Sequence, residues 1–275
     1  MVVLKKNECV VCKAPATSKC GKCSLVYYCG RKHQSEDWRS HKHSCIASDK
    51  GVTAMMKLRS AIHINDTFAA KQILDKNPNL LTNRDLDVQG APLHEAARNG
   101  SIKMVKLFLS KGADVNKIDI DSSTALMKTC IPGTVGTEMM ELLLKSGADV
   151  HKKFTKDGST ALGNACIAGL VDASRLLLDS GARFDVVTTL QGHSPLMSAC
   201  LNGSTEIVKM LLSRGADTSV RSTVNGYSAF MLACLNSHTV VMDLLLKNGC
   251  DINFASRING LTALMMVSEE GNIKL

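Results

Sequence analysis

Cysteine and histidine stand in four close pairs near the start of this chain: Cys9 with Cys12, Cys20 with Cys23, Cys29 with His33, and His41 with Cys45. Thiolate and imidazole are the ligands that Zn²⁺ favours. Gaps of two or three residues let a short turn or one helical step bring both members of a pair to one edge of a tetrahedron. Four pairs supply two complete sites, each of three Cys and one His or an equivalent mix. Residues 27–45 carry almost no aliphatic side chain, so this segment cannot build a core of its own. Structural zinc, with roughly 10–16 kcal/mol of apparent binding energy in small modules, would replace that core. Unrelated thiols and imidazoles would not repeat such a spacing across residues 9–45.

The full spacing is C-x2-C-x7-C-x2-C-x5-C-x3-H-x7-H-x3-C, with Tyr27-Tyr28 ahead of Cys29 and "HQSEDWRSHK" after it. It resembles a MYND zinc finger. The resemblance implies a cross-braced arrangement, with Cys9, Cys12, Cys29 and His33 on one zinc and Cys20, Cys23, His41 and Cys45 on the other. The family usually has Cys where this chain has His33, and imidazole is a competent substitute. His43, with a single residue between it and Cys45, is left in solvent. Fingers of this kind bind short proline-containing peptides, and Gln34 and Trp38 match the positions that line the peptide groove. Four residues apart, they share one face of a helix. Trp38 is also the natural filler of so small a core.

The elements that follow have a strong period. The equivalent positions Ala91, Thr124, Thr160, Ser194, Ser228 and Thr262 lie 33, 36, 34, 34 and 34 residues apart, which means a solenoid. Each unit reads as helix, short loop, helix and extended turn. The glycine of the recurring "GAD" closes the second helix. Asp157-Gly158, Asn225-Gly226 and Asn259-Gly260 supply tight hairpin turns. The blocks "PLHEAA" and "LLLxxGAD" resemble ankyrin repeats over roughly residues 53–275. The expected fold is therefore mostly α, an ankyrin-repeat solenoid preceded by a small two-zinc MYND-type finger. The finger spans 1–50, a degenerate first repeat or cap 51–89, and the repeats 90–275, five complete and the sixth truncated. The interrupted last repeat implies a longer natural protein or a frayed C-terminus.

This register assigns the remaining reactive residues. Cys130, Cys166, Cys200 and Cys234 each fall six residues after a repeat start, where the family has a small buried Ala. They are expected to be core thiols rather than nucleophiles or ligands, and Cys250, in place of the Ala of "GAD", to be structural. His94 matches the motif histidine, which bonds neighbouring backbone. Apolar pairs flank three hairpin tips, Val186/Leu190, Val220/Val224 and Phe254/Ile258, where the first two repeats have Lys117/Asp121 and Lys152/Lys156. Stacking between hairpins explains them, and a partner surface is the alternative. Seven residues after each start, Arg98 and Glu269 are polar as in the family, but Ile131, Ile167, Leu201 and Leu235 are aliphatic. One further residue turns a helix by about 100°. These four side chains therefore point towards the groove between first helices and hairpins, or tuck under the hairpins.

Charge and composition bound the function. The chain has 275 residues and net charge +8, of which residues 1–50 hold ten Lys/Arg against four Asp/Glu. Six zinc-bound thiolates and two Zn²⁺ would reduce that +6 to +4, which weakens a nucleic-acid reading. No apolar run approaches the ~18 residues of a membrane span. No signal peptide is evident, so a cytoplasmic or nuclear location with reduced thiols is expected. The favoured reading is a monomeric adaptor: the finger binds a peptide and the concave face of the stack a second protein. A transcriptional or chromatin regulator touching nucleic acid through the basic finger is the alternative. The repeats leave no room for a catalytic domain, so no enzymatic activity is expected.

Overall fold

The computed structural model describes residues 54–78, 80–81, 92–119, 121–133, 137–154 and 156–269, with the backbone alone at 18–19, 27–28 and 269. Two strands of two residues each, β1 (Ser18–Lys19) and β2 (Tyr27–Tyr28), pair antiparallel with Ser18 opposite Tyr28. Thirteen helices follow among the described residues. Contacts divide the chain into one unit of residues 1–92 with 106–113 and another of 93–105 with 114–275.

In the first unit, helix α1 covers 54–63 and α2 covers Thr67–Lys76. Asp66 starts α2 by accepting a hydrogen bond from the Ala69 amide at 2.9 Å. Leu58, Ile62, Ala70 and Leu74 are buried, as is Phe108. These positions are spaced at one helical face. Lys111 and Asp75 form a 2.6 Å ion pair at the surface.

Next come α3 (Pro92–Arg98), α4 (Ile102–Ser110), α5 (Ala125–Lys128), α6 (Thr137–Lys145), α7 (Ala161–Ile167), α8 (Val171–Asp179), α9 (Pro195–Leu201), α10 (Thr205–Ser213), α11 (Ala229–Leu235), α12 (Thr239–Lys247) and α13 (Ala263–Glu269). In the second unit the first helices of successive repeats, α5, α7, α9, α11 and α13, pack in one row, and the second helices α6, α8, α10 and α12 in another. α5, α7, α9 and α11 each also pack on their own second helix. This is the helical solenoid that the period implied. Its core is aliphatic: Leu126, Leu143, Leu162, Leu177, Leu196, Leu211 and Leu245 are all buried.

The repeat start is a helix cap. Thr124, Thr160, Ser194 and Ser228 each accept a hydrogen bond from the amide three residues on, at 3.2–3.3 Å. That satisfies one of the amides a helix N-terminus leaves without a partner. The other end of each pair closes at glycine. Gly181, with φ 84°, ends α8 while the Ala182 amide reaches back to the Leu177 carbonyl at 2.9 Å. Hairpins bridge the repeats, with isolated antiparallel pairs at Lys153 and Thr160, Arg221 and Ser228, and Ala255 and Thr262. The expected turns at Asp157-Gly158, Asn225-Gly226 and Asn259-Gly260 are formed there. α5 is shorter than its counterparts, and residues 131–133 follow it as a turn leading into the two-residue insertion of this repeat.

Candidate partner-binding face

Two rows of side chains meet along the second unit: the ends of the first helices and the tips of the hairpins. Ile167, Leu201 and Leu235 are the last residues of α7, α9 and α11, and Ile131 holds the same register beyond the short α5. The thiol just before each of them is buried, and one step of helix then turns the next side chain away from the core. Ile131 is 42% and Ile167 44% exposed, while Leu201 and Leu235 are half-buried. All four positions thus reach the surface. Arg98 is exposed at one end, and the side chain of Glu269 lies outside the described residues.

The backbone under this row is held by the next repeat. The Leu201 carbonyl, at a helix end where no amide of its own helix can reach it, accepts from Asn236 Nδ2 at 3.0 Å and lies 3.2 Å from His238 Nε2. These bonds tie the backbone at Leu201 to the following repeat.

The apolar pairs of the three hairpins behave unequally. Val186, Val220 and Phe254 are half-buried, as stacking between hairpins requires. Their partners point outward: Leu190 is 65%, Val224 54% and Ile258 60% exposed. The hairpins are bonded to one another in series. The Thr189 amide donates to the Asp157 carbonyl at 2.6 Å, Ser222 Oγ to the Gln191 carbonyl at 2.7 Å, and Ser256 Oγ to the Asn225 carbonyl at 2.8 Å. The Arg221 guanidinium lies 3.8 Å from the centroid of the Phe254 ring and donates to the carbonyls of Thr218 and Val220. Sequence reasoning marked the valines and Phe254 but missed Arg221, whose partner is 33 residues away.

The candidate reactive groups are structural. Burial pushes the thiols of Cys130 and Cys166 up to about 12 and that of Cys234 to about 11, and raises Cys200 still further. Cys250 is half-buried and also raised by burial. Thiols held protonated are poor nucleophiles and poor metal ligands. His94 is buried with Nε2 at 3.0 Å from the Ser123 carbonyl, and burial holds its pKa below the usual imidazole value. Among the described residues no cluster of three His, Cys, Asp or Glu could hold a metal. The zinc ligands expected from the sequence, Cys9, Cys12, Cys20, Cys23, Cys29, His33, His41 and Cys45, lie outside the described residues, as do Gln34 and Trp38. Among the described residues no helix is long and apolar enough to cross a membrane.

A family model described as "Ankyrin repeats (3 copies)" matches residues 18–153, 93–187, 126–222 and 196–275. Among solved structures, the human ASB11 ankyrin repeat domain superposes with a TM-score of 0.64 at 25% identity, covering 76% of this chain and 90% of that one. The E3 ubiquitin-protein ligase XBAT32 of Arabidopsis thaliana is 32% identical over 127 residues, which are 46% of this chain and 25% of the relative. The probable E3 ubiquitin-protein ligase XBOS33 of Oryza sativa subsp. japonica is 36% identical over 120 residues, 44% of this chain and 23% of the relative. The chain thus spans about a quarter of the length of these curated relatives. Their names correct one expectation. Repeats filling the chain argued against an enzyme, yet relatives that match nearly half of this chain are named as E3 ubiquitin-protein ligases, one of them as probable, so that argument does not hold.

Proposed function

Because the chain belongs to the ankyrin-repeat family, whose repeats serve as protein-interaction scaffolds, we propose that it recruits a protein partner along the face built from Ile131, Ile167, Leu201 and Leu235. One observation carries this reading: four successive repeats bring an aliphatic side chain to the surface in one register, where Arg98 is polar. Apolar side chains gathered on a folded surface mark interaction sites. The kinship with E3 ubiquitin-protein ligases supports a place for that recruitment in ubiquitin transfer, with the stack holding the protein to be modified.

Residues 1–50 form, in this proposal, a MYND-type finger, with 51–89 a degenerate first repeat or cap and 90–275 the rest of the stack. The donor set supports it: six thiols and two imidazoles in four pairs match the demand of two tetrahedral Zn²⁺ sites. The pairing of β1 with β2 lays the chain leading into Cys20 beside the chain leading into Cys29. Zinc would supply folding energy there and no chemistry. Gln34 and Trp38 would take a proline-containing peptide, in a protein that stays in the cytoplasm or nucleus.

The test is an affinity capture from lysate by the full chain and by Ile167→Asp and Leu201→Asp variants, read by mass spectrometry, with ubiquitin-activating and -conjugating enzymes added to the captured material. A protein held by the natural chain, lost with both variants at unchanged melting temperature, and ubiquitylated in the natural sample is the expected result. A partner retained by both variants removes the groove from the proposal. A groove-dependent partner that gains no ubiquitin removes the ligase setting.

A further inference from the structure

The hairpin tips carry a second pattern, distinct from the groove. Across residues 152–157, 186–191, 220–225 and 254–259 there are five cations, Lys152, Lys153, Lys156, Arg221 and Arg257, and one carboxylate, Asp157. All but Arg221 are exposed. The carboxylates nearest these cations bond within their own hairpins. Asp157 accepts from the Ser159 amide at 2.9 Å, Asp217 from the Ser219 amide at 2.7 Å and Asp251 from the Asn253 amide at 3.0 Å, while Asp185 pairs with Arg183 at 2.7 Å. Beside these cations stand Leu190, Val224 and Ile258, each more than half exposed and one per repeat.

We propose that this row is a docking site for an extended acidic segment of a partner protein with aliphatic side chains at regular intervals. The hairpin bonds at Thr189, Ser222 and Ser256, with Arg221 stacked on Phe254, hold neighbouring tips in fixed register. Packed helices lie about 8–10 Å apart, and an extended chain in the polyproline II form advances about 3.1 Å per residue with three residues per turn, so every third side chain shares one face. An aliphatic side chain at about every third position therefore meets Leu190, Val224 and Ile258 in turn, and carboxylates towards the two ends of the segment fall near Lys152, Lys153 and Lys156 on one side and Arg257 on the other. A platform already rigid loses little entropy on binding. Single-stranded nucleic acid fits less well. Its bases need exposed aromatic faces, whereas the Phe154 and Phe254 rings are half-buried, with Lys156 6.0 Å from the centroid of the first and Arg221 3.8 Å from that of the second.

The test is fluorescence anisotropy with the full chain and a labelled peptide of repeating Glu-Asp-Leu. A length of about twelve residues spans the row at the polyproline II rise. The comparison probes are the same peptide with Leu replaced by Ser and an oligonucleotide of equal charge. The expected result is binding of the Leu-bearing peptide over both. K152E/K153E/K156E should weaken it by about tenfold, the combined effect of a few exposed ion pairs, and L190S/V224S/I258S should weaken it to the level of the Ser peptide. These side chains are exposed, so both variants should keep the natural melting temperature. Equal binding of the Ser peptide or the oligonucleotide, or no binding of any probe, overturns the proposal. Leu201→Asp should leave the affinity unchanged, which separates this row from the groove. A loss there comparable to that of the tip variants also overturns it.

Discussion

The buried thiols make the stack sensitive to alkali. Cys166 is fully buried, and burial raises its thiol from 9.0 to about 12. In the unfolded chain the thiol ionises near 9, while the folded form keeps its proton. Above pH about 9 the unfolded state thus holds fewer protons, and stability falls as pH rises, by at most ~1.4 kcal/mol per unit for each such thiol. Below that pH both states are protonated and the term vanishes. Urea midpoints across the alkaline range should fall less steeply for Cys166→Ala than for the natural chain, and parallel slopes would show that the thiol does not ionise on unfolding. Glycine gives a sharper contrast. Gly181 and Gly192 both have positive φ, 84° and 65°. A Cβ at Gly181 would meet nothing within 4 Å, whereas one at Gly192 would lie 2.3 Å from the Thr223 amide nitrogen. Gly181→Ala should cost about 1–2 kcal/mol, the left-handed penalty alone. Gly192→Ala should cost clearly more, because two hairpins must part. Equal losses in denaturant titration would mean that the hairpin contact yields freely.

At the scale of the element, the caps divide the helices into two kinds. First helices are capped by a side chain, as Ser194 Oγ accepts from the Met197 amide at 3.3 Å. Second helices α8, α10 and α12 have no side-chain cap. Ser204 sits at the start of α10, yet its hydroxyl accepts from Asn202 Nδ2 instead. Ser194→Ala should therefore lower stability by about 1 kcal/mol and Ser204→Ala by much less, measured by the same unfolding titration. The recurring Thr or Ser and the glycine of "GAD" made the helix pairs, hairpin turns and buried thiols legible, because caps, turns and a packing period are local signals. Contacts between repeats were not. That Arg221 lies on Phe254, or that Leu190 faces out while Val186 is covered, depends on a neighbouring hairpin that no local pattern describes. The shortness of α5 was hidden for a related reason: its sequence carries a proper start at Thr124, and the insertion after Ile131 marked a loop without showing how early the helix would end.

For the whole molecule, the order of the two helix rows means that the second unit is stabilised mainly between adjacent repeats. The proposed finger should then be separable from the stack. Metal analysis of protein purified without chelator should find about two zinc ions per chain, the capacity of its four ligand pairs. His33→Ala should reduce that number and leave the helical circular dichroism of the repeats intact. Loss of the helical signal would tie the stack to the finger. The hairpin-to-hairpin bonds have a mechanical side as well. Held by its two ends and stretched, a stack linked only to its neighbours has no long-range clamp that must break first, so repeats should peel away singly under modest force. Each peeled repeat would free a similar length of chain, of the order of 100 Å for its 34 residues at full extension. A single-molecule trace should therefore show small, evenly spaced steps, and relaxed chain should wind back without delay because each repeat finds its template beside it.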